Sequence, residues 1–387
     1  MSASFYTKVF SAVASGVLHY LAGSLFFDLI HWQAHRSHRS RFRLLRMLGQ
    51  AHTAHHRYFD RKLKFNKEFI YANLVSHMPL ELFCQAMGST LSWACLRYLY
   101  SQTLQVLTVV LAIQFIRTLI VAWNLGHDSN HLSYTKLPKD QHSLIVGPQY
   151  HALHHIDPQN YFGSMVRIVD WALGTASTLR GRRVAMTGSN GALGKALCRQ
   201  LRREVSCIKT VRYGADWSYD DYSSIETILA NTDILILAHG SKSADCLEAN
   251  CNSAAELIEL FKRLRVRSGP ELIPEVWYFG SEAEFHGSWT SSMESYTDSK
   301  RAFAQHAKAL YSDDAILYRH IVPAAFHSNM GAAIVSADWI AKVALWWIRR
   351  GAQYVPATYT GFAFLNYFRF MYWVKPAGVA ARSAAKQ

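Results

Sequence analysis

Four short histidine clusters constrain the fold of this chain more than any other feature. They lie at His31–His35, His52–His56, His127–His131 and His151–His155. Within a cluster the histidines are mostly three or four residues apart, a spacing that puts side chains on one face of a helix. Neutral imidazole is the commonest metal ligand. The pattern therefore predicts helices that direct their imidazoles to a shared metal site.

The number of histidines favours two metal ions over one. A tetrahedral zinc takes four ligands, with cysteine common among them, whereas imidazole-rich ligation without thiolates fits iron, zinc, copper or nickel. A single histidine on an apolar helix is more often a hydrogen-bonded core residue, but the repeated spacing favours ligation. The predicted ligands are His31, His35, His52, His55, His56, His127, His131, His151, His154 and His155.

Charge and apolar content indicate a membrane protein with a basic cytoplasmic side. Half of the residues are hydrophobic, 18% are charged, and the formal net charge is +14. Lys and Arg concentrate in residues 36–68 and 180–212. Basic segments beside apolar spans suggest contact with anionic headgroups, and the same spans argue against nucleic acid as a partner. The six cysteines form no C-x-x-C pair and are expected to be free thiols in a reducing compartment.

Three apolar stretches precede residue 126, and a membrane-spanning helix needs about 20 such residues. Val9–Ile30 is expected to be a retained span, and Thr103–Leu125 is the cleanest later one. Phe69–Leu96 contains Pro79, which breaks regular helices, so it is predicted to be either one kinked span or a re-entrant hairpin. The histidines follow the span ends, which places the predicted metal site at the cytoplasmic membrane surface.

The four clusters resemble the histidine boxes of the fatty acid hydroxylase and sterol desaturase superfamily, over roughly residues 10–175. The resemblance implies that the ten histidines hold a non-haem diiron centre. It also implies that this centre uses O₂ to oxidise a C–H bond of a membrane lipid. The broken second span departs from the family pattern and leaves the number of crossings open.

A composition break at Gly174–Arg183 separates a membrane domain, residues 1–178, from a second domain, residues 179–387. Val184 opens a predicted strand that ends in a glycine turn and continues into a helix; the turn contains Gly188, Ser189, Gly191 and Gly194. Such a turn brings the backbone close to a pyrophosphate at the helix N-terminus. Further buried strands are expected at 233–240 and 275–281. The second domain is therefore predicted to be an α/β, Rossmann-like, doubly wound fold.

Tyr296 and Lys300 lie four residues apart, on one face of a predicted helix. A lysine ammonium beside a phenol is expected to lower the phenol pKa. Tyr296 could then act as general acid or base for a carbonyl–alcohol pair, with Ser281 holding the carbonyl oxygen. This tyrosine–lysine spacing alone would more often be an ordinary surface pair, but the glycine turn and Ser281 favour the catalytic interpretation.

These residues resemble the short-chain dehydrogenase/reductase family, over roughly residues 182–330. The resemblance implies that Ser281, Tyr296 and Lys300 are catalytic. It implies that the dinucleotide is held by Gly188, Ser189, Gly191 and Gly194. Asn250 matches the family's helix asparagine, and Asp216 matches its adenine-contacting aspartate. Arg212, near the end of the second strand, favours NADP(H) over NAD(H), because an arginine accommodates a 2′-phosphate. Leu237-Ala-His-Gly240 departs from the family pattern and puts the activity of this half in question.

Tyr354–Trp373 is rich in aromatic residues with few charges. Aromatic rings favour the headgroup boundary of a membrane, so this stretch is predicted to be an interfacial segment that lays the second domain on the membrane. A flap over the substrate pocket and an oligomer contact are the alternatives.

The two halves together resemble proteins described as bifunctional sterol desaturase/short-chain dehydrogenases. That resemblance implies hydroxylation or desaturation of a sterol- or fatty-acyl-type lipid, coupled to NADP(H)-dependent alcohol–carbonyl interconversion. Since no flavin or iron–sulfur motif is apparent, a separate one-electron donor of ferredoxin or cytochrome type is expected. Conversion of a fatty aldehyde to an alkane and a non-catalytic membrane scaffold are the alternatives.

Overall fold

The computed structural model describes residues 3–97 and 104–377, which form two compact units. The first unit extends to Ala176 and includes Gly269–Leu272, and the second begins at Ser177. The predicted fold class is confirmed, because the first unit is helical and the second is a Rossmann-like α/β fold. Thr103, the predicted start of a span, and residues 378–387 of the predicted second domain lie outside the described residues.

Six helices build most of the first unit, with short helical turns between the second and third. They are α1 (Ala3–Ser37), α2 (Arg43–Tyr58), α3 (Met78–Leu96), α4 (Leu104–Trp123), α5 (Pro148–Ile156) and α6 (Ile168–Leu173). The connecting turns are a 3₁₀ turn at Lys67–Phe69, a short α-helix at Ile70–Ala72 and a π-helix at Asn73–His77. Helix α1 packs against α2, α3 and α4, so its C-terminal histidines lie close to α2.

Two helices are long and apolar enough to cross a membrane, Phe5–Ser37 within α1 and Leu104–Trp123. Only 22% and 17% of their apolar windows are buried inside the protein. A core helix of a soluble protein would be mostly buried, so the exposure of these helices fits a membrane domain. The two helices coincide with the predicted spans at Val9–Ile30 and Thr103–Leu125, within the described residues.

The stretch with Pro79 forms one uninterrupted helical segment rather than a re-entrant hairpin. The π-helix Asn73–His77 leads directly into α3, and Pro79 lies in the first turn of α3. Proline is tolerated in a first turn because its missing N–H has no essential helical partner there. The π-helix buries Asn73 and His77, and π-turns of this kind are frequent at functional sites.

Helices α1 and α3 approach closely at two glycines. A Cβ atom at Gly23 would lie 2.5 Å from the carbonyl oxygen of Gln85, and one at Gly88 would lie 2.5 Å from Cβ of Phe26. Small residues permit such an approach between membrane helices. The Ser89 hydroxyl donates to the His19 carbonyl at 2.9 Å across the same interface. This contact fixes the relative position of the helices that carry and support the first histidine cluster.

We expect Gly88→Ala to destabilise the first unit by about 1–3 kcal/mol, the usual cost of overpacking a tight interface. The added methyl group would separate α1 from α3, because the Ala22 carbonyl oxygen and the Gly23 Cα also lie within 3.0 Å of it. The measurement is the thermal midpoint of the detergent-solubilised protein. Gly16→Ala is the matched control, since its Cβ would meet nothing closer than 3.7 Å. Equal midpoints for the two variants would contradict the prediction.

The second unit alternates strands and helices. Its strands are β1 (Arg183–Thr187), β2 (Cys207–Val211), β3 (Ile234–Leu237), β4 (Glu275–Phe279), β5 (Leu317–Pro323), β6 (Phe326–His327), β7 (Val335–Ser336) and β8 (Tyr354–Ala357). Its α-helices are α7 (Ala192–Leu201), α8 (Glu226–Ala230), α9 (Ser253–Leu264), α10 (Ala283–His286), α11 (Glu294–Tyr311), α12 (Ala337–Arg349) and α13 (Phe362–Tyr372). A π-helix at Glu248–Asn252 precedes α9, and 3₁₀ turns lie at Ser223–Ile225 and Ser291–Met293.

Six strands form a parallel sheet in the order β2-β1-β3-β4-β5-β8, and β6 and β7 pair separately. Apolar clusters cover both faces of the sheet, which explains the continuous apolar runs of β3 and β4. The strand order reverses between β1 and β3. In such sheets ligands bind at the carboxyl ends of the strands beside this reversal, where the glycine turn follows β1.

The interpretation of Tyr354–Trp373 as one interfacial segment is wrong for its first part. Tyr354–Ala357 is β8, a buried strand that pairs with β5. Aromatic residues are also favoured in strands, and composition alone did not separate the two environments. The remainder forms α13, which buries Phe370 but exposes Phe368 at 52% and Tyr372 at 75%. Contact of α13 with a membrane stays a prediction.

Candidate metal centre and dinucleotide cleft

The first histidine group brings five imidazoles from three helices to one place. Helix α1 supplies His31 and His35, α2 supplies His52 and His56, and α5 supplies His154. The Nε2 atoms of His35 and His52 are 2.8 Å apart, and those of His31 and His154 are 2.9 Å apart. The Nε2 atoms of His56 and His154 are separated by 3.1 Å. All five candidate ligand atoms lie within 4.8 Å of one another.

The second group contains His55, His131, His151 and His155. The Nε2 atom of His131 lies 3.2 Å from that of His55 and 2.9 Å from that of His151. His131 comes from the loop after α4, and the others come from α2 and α5. Helices α2 and α5 therefore each supply both groups, because residues at positions i, i+3 and i+4 spread over one helical face.

The opposite ring nitrogens orient these imidazoles. In the first group, Nδ1 of His31 lies 3.2 Å from the Phe162 carbonyl, and Nδ1 of His154 lies 2.8 Å from the Asn160 carbonyl. In the second group, Nδ1 of His55 lies 3.3 Å from Asn73 Oδ1, and Nδ1 of His131 lies 2.6 Å from Asp128 Oδ1. Since each partner is an acceptor, Nδ1 carries the proton and Nε2 keeps its lone pair. Metal-bound histidines are held by their other nitrogen in this way.

The donor set fits a metal ion in each group. Imidazole ligands bind zinc at about 2.0–2.1 Å, so ligands around one ion are about 3 Å apart, as the Nε2 atoms are here. Neutral imidazoles whose lone pairs face one another would otherwise repel. Both groups consist of histidine alone. The geometry thus suits two ions with nitrogen ligands, as expected from the sequence.

His127 is not brought to either group, so its predicted role as a ligand is wrong in this structure. Its side chain is exposed and its ring packs 4.0 Å from the Phe65 ring. The prediction assumed a helix from His127 to His131. Helix α4 instead ends at Trp123, and Leu125 and Gly126 have φ angles of 57° and 89°. The resulting turn directs His131 inward without His127.

His77 is a buried histidine at this centre that the sequence marked only as an interruption of an apolar stretch. Its ring stacks on His55 with centroids 4.2 Å apart, and its Nε2 lies 3.8 Å from Glu81 Oε2. A histidine and a glutamate one helical turn apart inside an apolar stretch indicate a functional site, because polar residues inside a membrane are usually functional. This pattern could have identified His77 from the sequence.

The glycine turn after β1 forms one wall of a cleft of about 300 Å³ in the second unit. Gly188 has a φ of +68°, and a Cβ atom on it would overlap the Ala238 backbone. A Cβ atom on Gly194 would overlap the Gly188 carbonyl oxygen. Gly191 precedes the first residue of α7, so the backbone N–H groups of that helix face the cleft. These features fit a dinucleotide pyrophosphate, and Ser189 is buried within the same turn.

The residues predicted to contact the adenosine half lie on the loop after β2. Arg212 is exposed there, and its backbone N–H donates to the Asp216 carboxylate at 2.7 Å. Asp216 therefore holds this turn, and neither side chain lines the cleft. Their contacts with a cofactor stay predictions.

Ser281, Tyr296 and Lys300 lie together at the carboxyl end of β4. Both Tyr296 and Lys300 line the cleft, and Ser281 is close enough to Tyr296 to lower the pKa of its phenol. The Lys300 ammonium donates to the Phe279 carbonyl at 2.8 Å. Burial lowers the pKa of Lys300 to about 8. This is an arrangement that could exchange a proton with a substrate oxygen.

The expected lowering of the Tyr296 pKa is not found. Burial raises the pKa of Tyr296 to about 12, against a lowering effect of the Ser281 hydrogen bond. The Lys300 Nζ lies 5.9 Å from the centre of the Tyr296 ring, and its protons are directed to other acceptors. In this structure the phenol is therefore neutral at neutral pH and could donate a proton.

Tyr278 links the lysine to the asparagine predicted from the sequence. Lys300 Nζ donates to the Tyr278 hydroxyl at 3.1 Å, and that hydroxyl donates to the Asn250 carbonyl at 2.6 Å. The Asn250 side chain holds the loop after β3 through two hydrogen bonds to the Ser241 backbone. Asn250 thus reaches Lys300 through Tyr278 rather than through its amide.

We expect Tyr278→Phe to lower both stability and reductase activity. It would leave the buried Asn250 carbonyl without this donor and remove one acceptor from the Lys300 ammonium, at a cost of about 1–3 kcal/mol. The lysine pKa would fall further below about 8, moving the alkaline limb of the pH–rate profile to lower pH. Tyr354→Phe is the control, because its hydroxyl donates to the Ala363 carbonyl at 2.8 Å. An unchanged pH profile in Tyr278→Phe would contradict the link.

A buried acid–base pair supports Ser281, the serine predicted to be catalytic, and sequence reasoning missed the pair. The Glu284 carboxylate lies 3.0 Å from His320 Nε2 and accepts from the Ser281 backbone N–H at 3.1 Å. Burial would raise the pKa of Glu284, but His320 and the hydrogen bonds from Ser281 and Asn366 hold it below its usual value. The two residues are far apart in sequence, and no local spacing signals the pair.

His239 occupies the position where the sequence departs from the family pattern. Its Nδ1 lies 2.6 Å from the Thr187 hydroxyl, so it joins the ends of β1 and β3. Burial lowers the pKa of His239 to about 3, and Lys300 adds to the shift. A neutral imidazole therefore lines the cleft here.

Comparison with known proteins gives one curated relative and many structures with a similar fold. No protein-family profile matches the sequence. The chain is 27% identical over 262 residues to monoglucosyldiacylglycerol epimerase of Synechocystis sp., covering 59% of this chain and 63% of that protein. It therefore spans less than two thirds of the length of the relative it matches.

Similar solved structures include a short-chain dehydrogenase from Burkholderia cenocepacia in complex with NADP. It shows 15% identity and a TM-score of 0.38, over 50% of this chain and 95% of that one. A dehydrogenase/reductase from Sinorhizobium meliloti shows 16% identity and a TM-score of 0.38, over 48% and 98%.

Proposed function

We propose that the protein is a membrane-bound oxidoreductase that modifies a polar lipid at two chemically different sites. The histidine groups of the first unit would hold two iron ions, which supply O₂-dependent oxidation of a C–H bond when bound. The second unit would interconvert an alcohol and a carbonyl of the lipid with NADP(H). The observation that carries the proposal is the convergence of nine imidazoles in two groups beside apolar helices that fit a membrane.

The second unit supplies the groups that a carbonyl–alcohol conversion needs. A bound nicotinamide would supply the hydride in the reductive direction, and the Tyr296 phenol, which lines the cleft, would give its proton to the carbonyl oxygen. Ser281 would hold that oxygen. Lys300, whose Nζ donates to Tyr278 and Phe279 and lies 5.9 Å from the centre of the Tyr296 ring, would contribute positive charge to the cleft. Oxidation of the alcohol reverses each transfer. The glycine turn and the first turn of α7 would hold the pyrophosphate.

A second candidate is inversion of configuration at an alcohol carbon of a glycolipid. The similarity to monoglucosyldiacylglycerol epimerase favours it. Oxidation of a ring hydroxyl to a ketone, followed by return of the hydride to the other face, would invert the carbon without net redox change. In this candidate the second unit alone would carry out both steps.

A separate one-electron donor is part of the proposal, because a nicotinamide delivers hydride whereas diiron oxygen chemistry draws single electrons. A cavity of about 540 Å³ borders His35, His52 and His56 of the first group, and Arg61 and Lys62 lie in its wall. Exposed positive charge there suits an acidic carrier of ferredoxin or cytochrome type. We place this surface and the second unit on the cytoplasmic side.

The test combines metal analysis with lipid product analysis. Full-length protein is assayed for iron and zinc per chain, and lipids from cells with and without the gene are compared by mass spectrometry. Gain of an oxygen or loss of two hydrogens supports the oxidative proposal, whereas a changed sugar configuration at constant mass supports epimerisation. Zinc alone or no metal, together with unchanged lipids, would refute the oxidative role.

A further inference from the structure

The first unit contains a cavity of about 250 Å³ that borders both histidine groups. His31 and His52 of the first group contribute to its wall, as do His55, His131 and His151 of the second. A group bound there would lie beside both predicted ions. The chemistry of the remaining wall therefore indicates which part of a substrate is presented to the metal centre.

Much of that wall is polar and carries charge. Arg117 Nη1 donates to Glu81 Oε1 at 3.1 Å, and Arg117 Nη2 lies 3.9 Å from Asp128 Oδ2. Gln85 Nε2 also donates to Glu81 Oε1, at 2.9 Å. Tyr20 and Asn130 line the same cavity. Burying an alkyl chain against these groups would desolvate them without replacing their hydrogen bonds, which is unfavourable.

Two buried polar atoms in this wall have no hydrogen-bond partner. They are Gln85 Oε1, in a residue only 5% exposed, and His77 Nδ1, in a residue only 4% exposed. Buried polar atoms are nearly always paired, and leaving them unpaired costs free energy. Neither atom has accessible surface, so the groups open to a ligand are those of the remaining wall. A ligand with several hydroxyl groups suits that wall, because each hydroxyl can donate and accept.

The shape and charge of the cavity narrow the ligand further. Its volume of about 250 Å³ lies below the usual range of about 300–1,000 Å³ for drug-sized ligands, which suits one sugar ring rather than a sterol. Apolar contacts come from Phe27, Val146 and Met165, and a sugar ring has C–H faces for such contacts. The Arg117 guanidinium is already held between two carboxylates, so it is not presented to a phosphate.

We infer that this cavity binds the uncharged, hydroxyl-rich headgroup of a lipid, such as the sugar of a glycosyl diacylglycerol, beside the two histidine groups. The inference rests on the proposed lipid-modifying function and names the part of the substrate at its metal site. The lipid chains would then extend away from the ions rather than toward them. Both sites of the protein would in that case act on a polar headgroup.

The experiment measures lipid retention by native mass spectrometry of the full-length, metal-containing protein. The probes are monoglucosyldiacylglycerol, diacylglycerol and phosphatidylglycerol with identical acyl chains. We expect the glucosyl lipid to be retained at least about tenfold better than either other probe. Gln85→Leu removes one hydrogen-bonding group of the cavity and should reduce that preference about tenfold, the effect of about 1.4 kcal/mol. Glu81→Gln, which keeps the shape of the side chain, should also reduce it.

Gln105→Leu is the matched control, because it makes the same chemical change at an exposed position of α4. It should leave lipid preference and metal content unchanged. Equal retention of diacylglycerol and the glucosyl lipid would overturn the inference, and so would preference for phosphatidylglycerol. A glucosyl preference that persists in both cavity variants would also overturn it.

Failure of the inference is distinguishable from failure of the proposed function. If the preference is found but no oxidised lipid forms with O₂ and an electron donor, the oxidative function fails and the binding site stands. If oxidised lipid forms while the cavity variants retain lipids as the wild type does, the function stands and the headgroup site fails.

Discussion

His154→Ala is expected to abolish metal binding in the first histidine group and all O₂-dependent lipid oxidation. His154 is fully buried, and its Nε2 lies within 3.2 Å of those of His31, His35 and His56. Removing groups that only support a ligand already costs about 10–100-fold in metal affinity or activity, so loss of the ligand itself should exceed about 100-fold. The measurements are metal per chain by elemental analysis and lipid products by mass spectrometry.

His127→Ala is the control for this experiment, since His127 is exposed and lies outside both groups. Its metal content and products should match those of the wild type. Retained metal in His154→Ala, or an equal loss in His127→Ala, would contradict the assignment. Circular dichroism should show the same helical content in all three proteins, because His154 lies near the end of a short helix.

Tyr296→Phe is expected to lower the NADP(H)-dependent alcohol–carbonyl conversion by about 10²–10⁴-fold, the usual contribution of a general acid. The Tyr296 phenol is the proposed proton donor in the cleft, and phenylalanine keeps the ring while removing that proton. Dinucleotide affinity should change little, because the glycine turn and α7 are separate from the hydroxyl. The measurements are the oxidation rate of NADPH with a carbonyl substrate and a binding titration of NADPH.

The metal centre should be unaffected by Tyr296→Phe, and the two mutants should therefore lose different activities. Tyr359→Phe is the control, since Tyr359 is 40% exposed in the same unit and does not line the cleft. A Tyr296→Phe protein that still reduces the carbonyl at the wild-type rate would show that another group gives the proton. Loss of metal in this variant would show that the two sites are not chemically separate.

The histidine groups could largely be predicted from sequence because helical spacing is a local property. Residues three and four apart on α2 and α5 share a face whatever surrounds them. The same reasoning gave a wrong prediction for His127, because a turn with left-handed backbone conformations at Leu125 and Gly126 replaces the assumed helix. His77 was not recognised because the π-helix and the packing of α2 bring it to the centre, and neither is encoded in a fixed spacing.

The second unit shows the same division between local and long-range information. The glycine turn and the Tyr296–Lys300 spacing predicted the cleft, because both depend on a strand, a turn and a helix. The ionisation of Tyr296 was not predictable, since it depends on burial and on where the Lys300 protons are directed. The Glu284–His320 pair joins α10 to β5, and only the folded chain reveals it. Composition did not predict the strand Tyr354–Ala357, because the aromatic residues of that stretch suggested a membrane interface rather than a buried strand.

The two histidine groups share α2 and α5, and this has a consequence for how the proposed metal ions would be acquired. An ion that engages His52 and His56 sets the rotation of α2, and with it the direction of His55 toward the neighbouring group. The imidazoles of the neighbouring group would then already be oriented when the second ion arrives. Chains should consequently be found with a full complement or none, and partial occupancy should be scarce even when metal is limiting.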